Sequence, residues 1–267
     1  MHQTAKAETF RKLHHTGEIL VLPNAWDAAS AAIMADAGAK AVATSSAAVA
    51  WAHGYADGDT LPRDRLLATV SACARVIDVP LTAVIEGGYT DDLGELAEVI
   101  TAVIEAGAVG INLEDGSRDA ELHARKVATA RKAADATGVP LFINARTDVI
   151  LKGLAEGHAA YTEVVRRAAL YADAGADGIF VPFAKDDDLI GRLADAISLP
   201  LNIMLVGGLS PADRLQALGV RRLSSGGAPF AATYAPLVGA VKAYLATGQA
   251  SAFAAGAGVP SFNKRFG

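Results

Sequence analysis

The sequence predicts an α/β fold of the TIM type, a (β/α)8 barrel preceded by an extra N-terminal helix. Three observations predict it. Eight short apolar runs bounded by Gly, Pro or Asn alternate with longer alanine-rich segments along the 267 residues, as strands buried on both faces alternate with helices in such a barrel. The joints repeat: AGAKAV, AGAVGI, AGADGI and LGVRRL each end a helix and begin a strand, and IDVPLTA, TGVPLFI and ISLPLNI are a second version of the joint. The runner-up, a doubly wound open sheet, lacks its GxGxxG turn after the first run.

Taken in order, Thr4–His15 reads as the leading helix. Strands are expected at Ile19–Leu22, Ala41–Ala43, Leu81–Ile85, Gly110–Leu113, Leu141–Asn144, Gly178–Val181, Leu201–Met204 and Arg222–Leu223. Helices are expected at Asp27–Ala37, Arg63–Ile77, Asp91–Ala106, Asp119–Thr137, His158–Ala174, Asp186–Ile197, Ser210–Leu218 and Pro229–Ala246. Asp27, Asp91, Asp119 and Ser210 stand where a side-chain oxygen caps a helix start, and Pro211 suits a first helical position. Gly38, Gly107, Gly138, Gly175 and Gly219 stand where a left-handed residue closes a helix. No linker divides the chain, so residues 1–267 are expected to form one barrel domain with 247–267 as a C-terminal tail against a neighbouring subunit.

Composition narrows the function classes. With 52% hydrophobic residues the chain can bury a sizeable core, which excludes disorder. A net charge of −5 argues against nucleic acid or an anionic membrane as partner. A lone cysteine cannot form an internal disulfide, and neither a signal peptide nor a membrane-spanning run is visible, so a cytoplasmic protein is expected. Cys73, inside an expected helix, reads as a small buried hydrophobe.

In a barrel, chemistry collects where strands end and the next loops begin. Those positions hold Asn24, Trp26 and Asp27; Thr44, Ser45 and Ser46; Glu86; Glu114 and Asp115; Arg146 and Asp148; and Ser224 to Gly227. The long connection Ala47–Pro62 carries Trp51, His53, Tyr55, Asp57 and Asp59 and reads as a functional loop. Glu86 and Glu114, with Asp57, make a set suited to a hard cation such as magnesium, although each acid also suits a helix cap. Arg146 emerges from an apolar strand, where an unpaired charge is costly. A guanidinium there suits bidentate capture of a carboxylate, or an ion pair with Asp148 or Glu114, and the two roles are compatible. His14 and His15 lie on the leading helix, away from the active face.

The motifs LPNAWDAASA, ATSSAAVAWAHGYADGD, IEGGY, INLEDG, INARTD and LGVRRLSSG occur in the order of the isocitrate lyase / phosphoenolpyruvate mutase family, and the resemblance spans roughly residues 8–240. It implies a modified (β/α)8 barrel, a homotetramer or dimer with the eighth helix exchanged between subunits, and magnesium holding a 2-oxo acid or its enolate. By the same resemblance Trp26 is the aromatic wall of the pocket, and Ser45 and Ser46 seat the substrate carboxylate. Asp57 stands near the metal waters, Glu86 and Glu114 belong to the metal shell, Arg146 grips the substrate, and Asn202 lines the pocket. Asp57 and Arg146 are thus the catalytic candidates.

Two departures bear on the chemistry. Val84 stands where the family has an aspartate metal ligand, which leaves a weakly held, differently held or absent magnesium as the alternatives. EDG runs through Ser117–Leu122 straight into helix, with no cysteine and no room for a long gating loop. The resemblance therefore implies a lyase acting on a small 2-oxo or 2-hydroxy di- or tricarboxylic acid, by decarboxylation or retro-aldol cleavage. The alternatives are phosphorus–carbon chemistry on phosphonopyruvate or phosphoenolpyruvate, and a 2-oxo-acid-binding member impaired in catalysis.

Overall fold

The computed structural model describes residues 2–267. Helix α1 (Gln3–Leu13) precedes β1 (Leu20–Leu22) and β2 (Asn24–Ala25), two pieces of one barrel strand interrupted at Pro23. Proline has no N–H for a ladder, and its carbonyl accepts from Ala43 N–H at 2.9 Å. There follow α2 (Ala28–Asp36), β3 (Val42–Thr44), α3 (Ser46–Ala52), α4 (Arg63–Val76), β4 (Leu81–Val84), α5 (Leu93–Glu105), β5 (Gly110–Glu114) and α6 (Ala120–Thr137). The second half holds β6 (Phe142–Arg146), α7 (Gly157–Asp173), β7 (Gly178–Val181), α8 (Asp187–Ala196), β8 (Leu201–Met204), α9 (Ala212–Ala217), β9 (Arg222–Ser224) and α10 (Ala228–Thr247). A 3-10 segment (Ala250–Gly258) and α11 (Phe262–Phe266) end the chain.

All strand pairs are parallel, in the order β1-β9-β8-β7-β6-β5-β4-β3-β2. Because β1 pairs with β9 and β2 with β3, the run Leu20–Ala25 joins both edges and nearly closes the barrel. This is the expected (β/α)8 architecture with one strand in two pieces.

Local differences from the sequence reading have local causes. Asp91 does not cap α5, because Lys126 Nζ and Arg118 Nε hold its carboxylate at 2.8 and 2.7 Å; Asp92 caps instead, accepting from Glu95 N–H at 2.9 Å. Pro211, not Ser210, precedes α9, and no side chain caps that helix. Helix α3 lies largely within the expected loop Ala47–Pro62, its start capped by Ser45. The five glycines expected at helix ends all have positive φ. Asp27 caps α2 in a reciprocal box with Ser30.

The extra helix closes the N-terminal end of the barrel. Phe10 is fully buried, edge-on to Phe142 at 5.5 Å, and His14 stacks on Phe142 at 4.0 Å. Glycine at 110 makes this possible, since a Cβ there would stand 2.7 Å from the Phe10 ring. Burial, with the charge of Arg222, pushes His14 down to about 3, so it packs as a neutral ring.

Helix α10 stands off the barrel. None of its residues is buried, and Leu237, Val238, Val241 and Leu245 are exposed. An apolar groove lined by Val21, Met34, Leu205 and Leu223 stays open on the barrel wall.

The plug at the barrel floor makes a direct prediction. Phe10→Ala is expected to lower the free energy of unfolding by about 3–5 kcal/mol, the size of an emptied aromatic core position. Urea unfolding followed by circular dichroism measures it, and a loss below about 1 kcal/mol would show that α1 is not part of the core.

Candidate active site

In a strand every second side chain faces the same way. At the C-terminal end of the barrel the inward positions are Asn24, Val84, Asn112, Arg146, Phe180 and Ser224, and they line a cleft of about 270 Å³. Ser45, Ser46, Asp57 and Trp51 complete its wall.

Four of the expected site residues, Ser45, Ser46, Asp57 and Arg146, thus meet in one cleft. The other four lie outside its lining. Trp26 packs instead against Phe230 at 5.3 Å, and Trp51 is the indole that borders the cleft. Asn202 is buried within the barrel, where its oxygen accepts from Asn144 Nδ2 at 3.0 Å and from the Ser224 hydroxyl at 3.1 Å. Glu114 pairs with Arg146, and Glu86 is turned toward a neighbouring loop.

Arg146 is the best-supported side chain of the group. Its Nε and Nη2 donate to the two Asp148 oxygens at 2.6 and 3.1 Å, and Nη1 stands 2.7 Å from Glu114 Oε2. Asp148 is itself fixed: its backbone N–H donates to Asp115 Oδ1 at 2.8 Å. Asp115, fully buried, receives Arg167 Nη1 and the Tyr171 hydroxyl on its other oxygen, each at 2.7 Å. Two helical residues of α7 therefore hold an acid that holds the segment presenting the guanidinium. Arg146 also lies 5.7 Å from the Phe180 ring centroid, within cation–π range.

Glu86 has a left-handed backbone, φ +49, as do Asp59 and Tyr89 at +58 and +59. For non-glycine residues each costs about 1–3 kcal/mol and persists only where the surroundings hold it. They do: Glu86 Oε2 accepts the backbone N–H groups of Gly58, at 2.8 Å, and Asp59, while Oε1 accepts the Tyr89 hydroxyl at 3.1 Å. Asp59 returns the contact, accepting from Gly87 N–H at 3.0 Å and Tyr89 N–H at 3.2 Å. Arg118 then ties Asp59 to Asp91, at 2.9 and 2.7 Å, and the buried Lys126 donates to Asp91 and to Thr90 O.

The acids are not gathered as direct metal ligands: among the described residues no three His, Cys, Asp or Glu side chains form a metal-holding group. They do press on one another. Burial raises Glu86 above its ordinary range, and the nearby Asp57 and Asp59 add to it. Burial pushes Glu114 up to about 7 against the pull of Arg146, and Asp148, Glu86 and Asp57 reinforce the rise. Cys73 is buried, and its thiol is pushed up to about 12, so it is inert as expected.

The sequence reading passed over Asn112 and Phe180 as lining residues. Strand alternation carried the signal, since Asn112 stands two residues before Glu114 on the same side of β5.

The Glu114 environment is measurable. Between its ordinary value of 4.5 and about 7, the folded protein keeps a proton that the unfolded chain releases, so this group makes stability fall as pH rises through that window. Carboxyl-carbon NMR is expected to place the Glu114 midpoint near 7, and a midpoint at 4.5 would contradict a desolvated carboxylate.

Comparison with known proteins agrees with the geometry. The family model for phosphoenolpyruvate phosphomutase matches residues 10–245. An uncharacterized protein of Mycobacterium tuberculosis is 37% identical over 84% of this chain and 84% of its own length. The chloroplastic carboxyvinyl-carboxyphosphonate phosphorylmutase of Arabidopsis thaliana is 30% identical, covering 82% of this chain and 69% of that protein. A crystal structure from Burkholderia cenocepacia J2315, carrying a provisional phosphonomutase name, superposes with a TM-score of 0.86 at 40% identity, over 90% of this chain and 99% of that one. More distant relatives include an oxaloacetate decarboxylase and a 2-methylisocitrate lyase. With its barrel, its strand-end motifs and these matches, the chain belongs to the phosphoenolpyruvate phosphomutase family.

Proposed function

We propose that the cleft binds a small 2-oxo or 2-hydroxy di- or tricarboxylic acid and breaks a carbon–carbon bond one removed from a carbonyl, at its α carbon, by decarboxylation or retro-aldol cleavage. Arg146 carries this reading. A guanidinium has five N–H donors, and Asp148 and Glu114 leave hydrogens on both terminal nitrogens for a substrate carboxylate. Ser45 accepts from Ala48 N–H at 3.4 Å as a helix cap, which leaves its O–H free to donate to the ligand beside that of Ser46. Two-point capture by Arg146 would align the breaking bond. Cleavage leaves its electron pair as an enolate, and Asp57, the carboxylate lining the cleft, is positioned to exchange a proton there.

The donor set fits a magnesium ion held through its waters. Val84 offers no ligand atom, while Asp57 and Glu114, beside Glu86, repel one another and would be relieved by a hydrated cation. When bound, magnesium would stabilise negative charge developing on the enolate oxygens. Trp26, Glu86 and Asn202 then act from behind the cleft wall rather than at the ligand.

Phosphorus–carbon chemistry is the second reading, favoured by the names of the relatives at 40% and 30% identity. Against it stands the Ser117–Leu122 loop, where Arg118 is tied to Asp59 and Asp91 and Asp119 caps α6. Turnover assays with oxaloacetate, methylisocitrate and phosphonopyruvate decide: consumption of either of the first two supports carbon–carbon cleavage, and consumption of phosphonopyruvate alone overturns it. Binding without turnover would mark a member impaired in catalysis.

Three further outcomes are expected. Arg146→Lys should weaken 2-oxo-acid binding by about 2–5 kcal/mol, because an ammonium cannot reproduce the planar fork; calorimetry showing parental affinity would remove Arg146 from its role. Magnesium should bind appreciably only with a 2-oxo acid present, and Val84→Asp should strengthen it; tight binding to the free parent protein would point to another ligand. Finally, the exposed face of α10 and the open groove on the barrel suit exchange of this helix in a homodimer or tetramer. Light scattering is expected to report an oligomer at micromolar concentration, and a monomer would contradict it.

A further inference from the structure

Arg222, the first residue of β9, is fully buried inside the barrel. Among the described residues no carboxylate stands within ion-pair distance of it. Burial lowers its pKa to about 9, which leaves it cationic at neutral pH. Its Nε donates to Ser224 Oγ at 3.1 Å, its Nη2 donates to Asn112 Oδ1 at 3.2 Å, and Nη1 has no partner. A buried cation without a counter-ion is costly, and besides these two hydrogen bonds it meets the Phe10 ring, 6.0 Å away at the edge of cation–π range.

The arrangement has a consequence one layer nearer the cleft. A guanidinium only donates, so the Asn112 atom facing it is the amide oxygen. Asn144 Nδ2 donates to that same oxygen at 3.0 Å. With its oxygen occupied on the barrel side, Asn112 keeps its Nδ2 hydrogens for the cleft that it lines. The charge balance of the cleft calls for such a group. Arg146 is matched by Glu114 and Asp148, and Asp57 adds a third carboxylate, so these four side chains alone do not favour an anion.

We propose that Asn112 is an anion-binding residue of the cleft and that Arg222 is its positioning residue. Arg222 fixes the amide with its donor side to the ligand and supplies unpaired positive charge beneath it, so that the cleft accepts a dianion such as a dicarboxylate or an enolate carboxylate. The proposal rests on the binding of an acid at Arg146.

Asn112→Asp separates this role from a merely structural one. The variant is nearly isosteric and gives Arg222 the carboxylate it lacks, so its melting temperature should equal or exceed the parent's. Its affinity for oxalate, measured by calorimetry with magnesium chloride present, should fall by about thirtyfold, the size of a lost hydrogen bond to a charged group. Arg222→Met should fall by about tenfold or more if it folds. Arg146→Lys is the control for the parent site. If Arg146→Lys loses oxalate while Asn112→Asp stays within about threefold of the parent, the role of Asn112 and Arg222 is overturned and the Arg146 site stands. If Arg146→Lys binds as the parent does, or the parent does not bind oxalate, both fall.

Discussion

A permanent positive charge in the wall of a barrel built from alanine, valine and isoleucine has to be met by carboxylates, and those carboxylates have to be held in turn. Around Arg146 the demand runs outward through Asp148 to Asp115, and from there to Arg167 and Tyr171 on α7. Each step is short and buried, so the guanidinium plane is set by the packing of a whole helix against the sheet rather than by its own rotamer. Breaking such a buried pair is strongly destabilising, which ties the shape of the cleft to the stability of the barrel. Stability and recognition share the same bonds here.

A second set of bonds does for the loops what Asp115 does for the strand ends. Glu86 and Asp59 accept backbone N–H groups from each other's loops, and Arg118 joins Asp59 to Asp91. Three consecutive βα connections thereby become one rigid rim, with its left-handed residues held in place by reciprocal contacts. A short loop after β5 is enough, because Arg118 works as a strut from the side.

The barrel was legible because its strands are short apolar runs ended by Pro, Gly or Asn; Gly178–Val181 and Leu201–Met204 have the bounds read from sequence. Arg146 was legible as a charge at the end of such a run, and of the two roles read for it the structure contains the ion pair, with both Asp148 and Glu114. What could not be read depends on contacts far apart in the chain. Glu86 turns away from the cleft because Gly58 and Asp59 meet it, and nothing beside Glu86 announces a positive φ at a non-glycine residue. Both tryptophans reach Phe230 of α10, at 5.3 and 5.6 Å, but Trp26 is buried and also meets Tyr234, whereas Trp51 is exposed. Asn112 and Arg222 were hidden for another reason. Polar residues inside strands look like flaws in an apolar pattern until the barrel brings them face to face.

The aromatic plug at the barrel floor also bears on how the chain assembles during synthesis. Phe10 and His14 are made before the surfaces that receive them, Gly110, Phe142 and Arg222, which come roughly a hundred residues or more later. Until β6 and β9 have emerged from the ribosome, Gln3 and Lys6 can reach the carbonyls of Ile77, Ile104 and Ala108, but the Phe142 and Arg222 sides of the Phe10 site are missing. Helix α1 thus completes its contacts late, once β6 and β9 are in place above it.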